Sequence, residues 1–139
     1  MRFMMLMIPK VYAGPTDPDF APPVDAVEKM MTYNEALAKA GVLLQLDGLM
    51  PPERGARVRF AGGKPTVKDG PFTEAKEVVG GFWMIQVKTR DEAIEWARRI
   101  PAADGDIVEL RQVFEMADYP ADVQAAADSG IVQAAVAKP

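Results

Sequence analysis

The chain of 139 residues has the length of a single domain, since domains commonly run to about 100–200 residues. Its 49% hydrophobic and 26% charged residues match an ordinary globular protein. A net charge of −4, with no histidine and no cysteine, argues against nucleic-acid binding, disulfide bonds, thiolate metal sites and an imidazole base.

Residues 3–8 form an unbroken apolar run, which Pro9 and Lys10 end. The run is too short for a signal peptide or for a membrane span of roughly 18 residues. We therefore expect the first β-strand of a cytoplasmic protein that has no membrane contact. Because every position is apolar, instead of every second one, both faces of this strand are expected to be covered.

Residues 9–23, the proline-rich segment, contain five of the twelve prolines and show neither a helical nor a strand pattern. Connections of this length are often lids or binding segments, and a flexible linker is the alternative.

A first amphipathic helix is predicted over residues 24–40, after Pro22-Pro23 and before Gly41. Asn34 falls in the middle of its apolar arc, where it is either a buried amide that hydrogen-bonds to backbone groups or a residue that faces a pocket. Tyr33 flanks the arc, where it either packs in the core or donates from its phenol into a cleft. The arc itself consists of Val24, Val27, Met30, Met31, Leu37 and Ala38.

A second helix is predicted from the capping box of residues 89–92 to Pro101, with its apolar positions at i, i+3, i+4 and i+7. Two further strands are predicted over residues 82–87 and 107–114, and a hairpin is predicted around Gly62-Gly63.

Another strand is predicted over residues 42–47. Strict alternation would place Val42, Leu44 and Leu46 on one of its faces. The opposite face would then carry Leu43, Gln45 and Asp47.

The resulting order is strand, helix, strand, hairpin, strand, helix, strand. It predicts an α+β, ferredoxin-like fold in which two helices cover one face of a mainly antiparallel sheet. The strands of residues 3–8 and 82–87 are apolar on both faces, so the second face of the sheet needs another cover. Because most soluble homo-oligomers are twofold dimers, we expect a homodimer in which a second copy covers that face.

Residues 67–77, which contain the tetrapeptide Asp69-Gly70-Pro71-Phe72, and residues 80–82 closely resemble the DGPF branch of the YCII-related family. The resemblance covers residues 1–117 and leaves residues 118–139 as a predicted helical tail. It implies a dimeric α+β barrel, a superfamily that includes small-molecule enzymes, and a link to extracytoplasmic-function sigma factors. The His–Asp pair proposed for the wider family has no counterpart here, because the chain has no histidine.

The predicted second face of the sheet combines polar side chains with Met and Phe, which is typical of a small-ligand pocket. Lys76 could recognise an anionic group, although Glu74, Lys76 and Glu77 could equally form a solvated turn. Glu109 and Arg111 could instead form a structural ion pair, and Trp83 could be a core residue. The predicted ligand-binding residues are Asn34, Phe72, Lys76, Trp83, Glu109 and Arg111.

Asp69 is the candidate for proton transfer, and the alternative is a turn in which its carboxylate bonds backbone N–H groups near Gly70 and Pro71. Three functions follow. The first is a homodimeric binding or accessory protein with a pocket beside Asp69 and Arg111. The second is an enzyme without a cofactor, in which Asp69 moves a proton on a small carbonyl or lactone substrate. The third is a purely structural interaction module, which is favoured if both faces of the sheet are filled and leave no cavity. No metal ion or cofactor is expected in any of these cases, nor is a nucleic-acid or membrane partner.

Overall fold

A computed structural model describes residues 1–72 and 76–136 of the chain. Short 3₁₀ turns lie at Lys10–Tyr12, Pro52–Arg54 and Met116–Asp118. The strands are β1 (Arg2–Ile8), β2 (Leu43–Gly48), β3 (Ala56–Ala61), β4 (Lys64–Asp69), β5 (Gly81–Gln86) and β6 (Ile107–Gln112). The helices are α1 (Val24–Lys39), α2 (Arg90–Arg98), α3 (Ala121–Ala127) and α4 (Gly130–Val136).

Four strands form the main sheet, in the order β2-β5-β1-β6, and every neighbouring pair is antiparallel. With α1 following β1 and α2 following β5, this is the ferredoxin-like topology, so the predicted fold is confirmed. The strands β3 and β4 form a separate two-stranded hairpin. None of the helices in the described ranges is both long and apolar enough to cross a membrane.

The core lies between one face of the main sheet and the helices α1 and α2. Met5 and Ile85 on the sheet and Leu37 on α1 are its largest fully buried side chains. Tyr33 and Trp96 join the two helices to this core, and their rings meet edge to face at 6.4 Å. Burial of these large apolar side chains supplies the main favourable term in folding.

The opposite face of the main sheet, here called the outer face, is also apolar at its centre. Met4 on β1 pairs with Met84 on β5, and Leu6 pairs with Phe82. These four side chains are half-buried, whereas the residues between them are buried against the helices. Both strands are therefore apolar on both faces, as the sequence predicts.

The predicted apolar arc of α1 is partly wrong. The helix buries Tyr33, Asn34 and Leu37, with Met30 partly buried beside them. These residues form a stripe at i, i+3, i+4 and i+7. The buried stripe is narrower than the predicted arc, and the helix is rotated so that part of the predicted arc faces away from the sheet. The predicted arc residues left exposed are Val24, Val27, Met31 and Ala38.

The predicted alternation of residues 42–47 is also wrong, because β2 has an irregularity between Leu43 and Gln45. Leu43 pairs with Ile85 and packs on the core, while Leu44 is 49% exposed. The extra residue shifts the phase of the strand by one, as a β-bulge does.

The predicted hairpin is present, and its turn residues Gly62 and Gly63 have φ angles of 59° and 76°. Two consecutive positive φ angles suit the tight turns that join twisted strands, and glycine adopts them without steric cost. All residues of β3 and β4 are exposed. The helices α3 and α4 follow residue 118 and contribute no buried residue.

Tyr33 gives the fold a measurable response to high pH. Its hydroxyl donates a hydrogen bond to the Trp96 carbonyl at 2.7 Å, and burial raises the pKa of Tyr33 to about 12. Since the unfolded chain has the ordinary tyrosine pKa of about 10, this stabilisation is complete below pH 10 and is lost as the pH rises toward 12.

We expect Tyr33→Phe to lower the free energy of unfolding at pH 7 by about 1 kcal/mol, since one buried hydrogen bond is lost. The cost stays small because the Trp96 carbonyl also accepts the Arg99 N–H at 3.2 Å. The variant should lose less stability than the parent between about pH 10 and 12. Urea titrations across that range test this, with Tyr119→Phe as the control. An equal alkaline loss in Tyr33→Phe would contradict the assignment.

Candidate functional site

A cavity of about 940 Å³ lies at the edge of the core, under the proline-rich segment. Most of its lining comes from the proline-rich segment, the first turns of α1, the link after β2, and the loop between α2 and β6, and Met7 of β1 and Gly80 complete it. Its lining is mainly apolar and includes Met7, Tyr12, Phe20, Met30, Leu49 and Met50.

The proline-rich segment is held over this cavity by specific contacts. The Tyr12 hydroxyl donates to the Leu49 carbonyl at 2.9 Å, and its ring meets Phe20 edge to face at 6.0 Å. The Thr16 N–H donates to Glu53 Oε1 at 2.7 Å. Arg54 donates from Nε to the Pro18 carbonyl at 2.7 Å. The segment is therefore an anchored roof over the cavity, and its role as a lid or binding segment stays a prediction.

Gly80, in the stretch that resembles the family motif, packs closely against Pro9 and Tyr12 at the start of the proline-rich segment. A Cβ atom at Gly80 would lie 2.6 Å from Cγ of Pro9 and 3.1 Å from Cε2 of Tyr12. The Gly80 N–H donates to the Met7 carbonyl at 2.7 Å, and its carbonyl accepts from the Leu49 N–H at 2.9 Å. The backbone at Gly80 thus joins three walls of the cavity at distances that leave no room for a side chain.

Three charged residues line the cavity: Lys10, Asp104 and Asp106. The Asp106 carboxylate accepts the N–H groups of Lys10 and Ala103, both at 2.9 Å. Asp106 therefore ties the loop between α2 and β6 to the start of the proline-rich segment. Within residues 1–72 and 76–136, no three acidic side chains gather closely enough to hold a metal ion.

The phenol of Tyr12 stays neutral at physiological pH. Burial, and then the negative charge of Glu53, raise the pKa of Tyr12 above its ordinary value. The hydroxyl can therefore serve as the donor to Leu49, and the cavity wall on this side keeps an uncharged aromatic surface.

Asn34 and Trp83, two of the predicted ligand-binding residues, meet in the core. Nε1 of Trp83 donates to Oδ1 of Asn34 at 2.7 Å, and both residues are buried. The amide of Asn34 is thus hydrogen-bonded by an indole instead of facing a pocket.

Asp69, Phe72 and Lys76 lie at or beyond the end of the hairpin. Asp69 is the last residue of β4 and is exposed, as is Lys76. The Arg57 guanidinium lies 4.0 Å from the centre of the Phe72 ring, over its face. Glu74 falls outside the described residues.

Glu109 and Arg111 lie on the outer face, opposite Leu6 and Met4 of β1. Their side chains approach to 3.5 Å, and the Arg111 side chain is 72% exposed. The predicted site residues therefore occupy three separate places, and neither Asp69 nor Arg111 lines the large cavity. Their functional roles stay predictions.

The model of the YCII-related domain matches residues 1–117, which is most of the chain. The chain belongs to the YCII-related family. Its DGPF branch stays a prediction from the motif. An uncharacterised protein of Rhizobium meliloti (strain 1021) is 38% identical over 66 residues, which are 48% of this chain and 53% of that protein. The chain thus matches about half the length of this relative.

The cavity of this YCII-related protein is built from residues that the sequence analysis did not select. Tyr12, Phe20, Leu49 and Met50 lie in loops, where periodicity carries no information about which side chains converge. The available signal was the length of the proline-rich segment together with its two aromatic residues.

We expect Asn34→Leu to reduce the free energy of unfolding by about 1–3 kcal/mol, because the Trp83 N–H would remain buried without its acceptor. Thermal or urea unfolding measures this. Glu35→Leu, one residue further on the exposed side of α1, is the matched control and should change stability by less than about 0.5 kcal/mol. If Asn34 contacts a ligand instead, stability would be retained and ligand affinity would fall.

Proposed function

We propose that this YCII-related protein binds a small, largely apolar molecule in the cavity under the proline-rich segment. The observation that supports the proposal is the cavity itself, at about 940 Å³ with a mainly apolar lining. Small-molecule sites typically have about 300–1,000 Å³, apolar walls and a few polar groups that fix orientation.

The arrangement of charge suggests the shape of the ligand. An apolar body would lie against Tyr12, Phe20 and Met30, and a polar end group would lie near Lys10 and Asp104. Burial of the apolar body would supply most of the affinity, since each buried Å² of apolar surface contributes about 25 cal/mol before the costs of association.

The neutral fluorescent probe N-phenyl-1-naphthylamine tests the proposal. Ala26 lines the cavity, so Ala26→Trp should fill part of it and weaken binding of the probe by about tenfold or more. Ala38→Trp introduces the same side chain at an exposed position of α1 away from the cavity and should leave affinity unchanged. Titration followed by probe fluorescence gives both dissociation constants.

Two results would contradict the proposal. One is a parent protein that binds no probe at any soluble concentration. The other is an equal affinity in parent and Ala26→Trp, which would place the probe elsewhere on the surface.

A homodimer is a further part of the proposal, and the outer face supports it. Met4, Leu6, Phe82 and Met84 form a contiguous half-buried patch there, and Leu44 beside it is 49% exposed. A second copy that places its own outer face against this patch would bury both, with twofold symmetry.

We expect the protein to sediment as a dimer at low micromolar concentration, and Phe82→Arg to convert it to a monomer, because a charge at the centre of the interface would be buried without a partner. Val24→Arg, at a position 74% exposed on α1, is the control and should remain dimeric. A monomeric parent protein would refute the dimer and leave the cavity proposal intact.

A cytoplasmic accessory role beside an extracytoplasmic-function sigma factor is suggested by the family resemblance alone. Proton transfer by Asp69 is the enzymatic alternative. The exposed position of Asp69 on the hairpin gives it less support than the cavity gives to binding.

A further inference from the structure

We propose that the turn Pro52–Arg54, seated against Gly70, is the latch that holds the proline-rich segment over the cavity. The purpose of the latch rests on the proposed function. Its mechanism rests on the contacts that the turn makes. Glu53, Arg54 and Gly70 are positioning residues that act on the cavity through its roof.

The turn contacts the roof through two consecutive side chains. Glu53 Oε1 accepts the Thr16 N–H at 2.7 Å. Arg54 donates from Nε to the Pro18 carbonyl at 2.7 Å and from Nη2 to Asp19 Oδ1 at 2.6 Å. A backbone N–H and a backbone carbonyl of the roof thus find their partners on this one turn.

The same turn also reaches the cavity directly. Pro51, the residue before it, is buried and lines the cavity. The Arg54 N–H donates to the Pro51 carbonyl at 3.0 Å, and the Gly55 N–H donates to the Pro52 carbonyl at 2.9 Å. A shift of the turn would therefore move a cavity wall and the roof together.

Gly70 sets the position of the turn. A Cβ atom at Gly70 would overlap the Pro52 carbonyl oxygen and lie 3.2 Å from the Glu53 nitrogen, both of which are backbone atoms. The Gly70 N–H donates to the Gly55 carbonyl at 2.9 Å. Only a residue without a side chain fits here, so the motif glycine at the end of the hairpin sits directly under the latch.

The two carboxylate oxygens of Glu53 have different environments. Its second oxygen, Oε2, is buried and has no hydrogen-bond partner among the described residues. A buried carboxylate oxygen without a hydrogen bond costs stability. The close contact with Thr16 is the visible gain, since it anchors the middle of the proline-rich segment.

Amide hydrogen exchange of the full chain without any probe tests the latch by itself. Glu53→Ala removes the acceptor of the Thr16 N–H and should speed its exchange by about tenfold or more, whereas Glu53→Gln keeps an acceptor oxygen and should stay within about twofold of the parent. The Phe20 N–H donates to the Asp17 carbonyl at 2.8 Å, across the residues that Arg54 holds. Arg54→Ala should therefore speed exchange of the Thr16 and Phe20 amides by about two- to tenfold. Arg59→Ala, on the exposed hairpin, is the matched control and should change neither amide.

Unchanged Thr16 exchange in both Glu53→Ala and Arg54→Ala would overturn the proposal, as would an equal acceleration in Arg59→Ala. Gly70→Ala should accelerate the same amides if it folds, and a folded Gly70→Ala with parental exchange would refute the role of Gly70. If Gly70→Ala does not fold, this supports the close contact, and the Glu53 and Arg54 variants decide the role of the turn.

The dissociation rate of N-phenyl-1-naphthylamine separates this inference from the proposed function. If the parent binds the probe, Glu53→Ala should release it faster than Glu53→Gln does. If the parent binds no probe, the ligand proposal fails, while the exchange pattern still decides whether the turn holds the roof.

Discussion

β1 is hydrogen-bonded to β5 on one edge and to β6 on the other. The register of these pairings is the constraint that determines how the sheet and its layer of helices fit together. β1 is apolar on both faces, so its own hydrophobic pattern does not penalise a slip of one residue. The neighbouring strand β6 does, because Val108 and Leu110 pack toward the core while Glu109 and Arg111 point to the outer face. A slip would bury those charges, so β6 fixes which side of the sheet receives the helices.

Two buried polar contacts then set the rotation of α1 over the sheet. The side-chain oxygen Oδ1 of Asn34 must meet the Trp83 indole N–H, and the Tyr33 hydroxyl must meet the Trp96 carbonyl. Apolar packing alone tolerates small rotations of a helix, whereas a buried donor without an acceptor costs far more. The same rotation leaves Val24 and Val27 exposed and turns Ala26 and Met30 toward the cavity.

The sequence allowed the fold to be predicted because each element has a local pattern: the capping box before α2, the Gly62-Gly63 turn, and the apolar runs of β1 and β5. The rotation of α1 and the bulge at Leu44 could not be predicted, since both depend on partners distant in the chain. The cavity was missed for the same reason, because loops far apart in sequence form it. The candidates selected from the sequence were charged, polar or aromatic side chains, and two of them, Asn34 and Trp83, form a hydrogen bond with each other in the core.

The stretch that resembles the family motif, residues 67–82, positions other parts of the molecule mainly through two of its glycines. Gly70 lets the end of the hairpin lie against the turn of Pro52–Arg54. Gly80 lets Pro9 and Tyr12 lie against a backbone segment that is hydrogen-bonded to both Met7 and Leu49. Both contacts support the same roof, one through its middle and the other at its beginning. These two glycines are therefore explained by two close contacts of the backbone. This explanation requires no catalytic role for the side chains of the stretch. In this way, the two glycines hold together the backbone around the cavity, which is the surface that the proposed function uses.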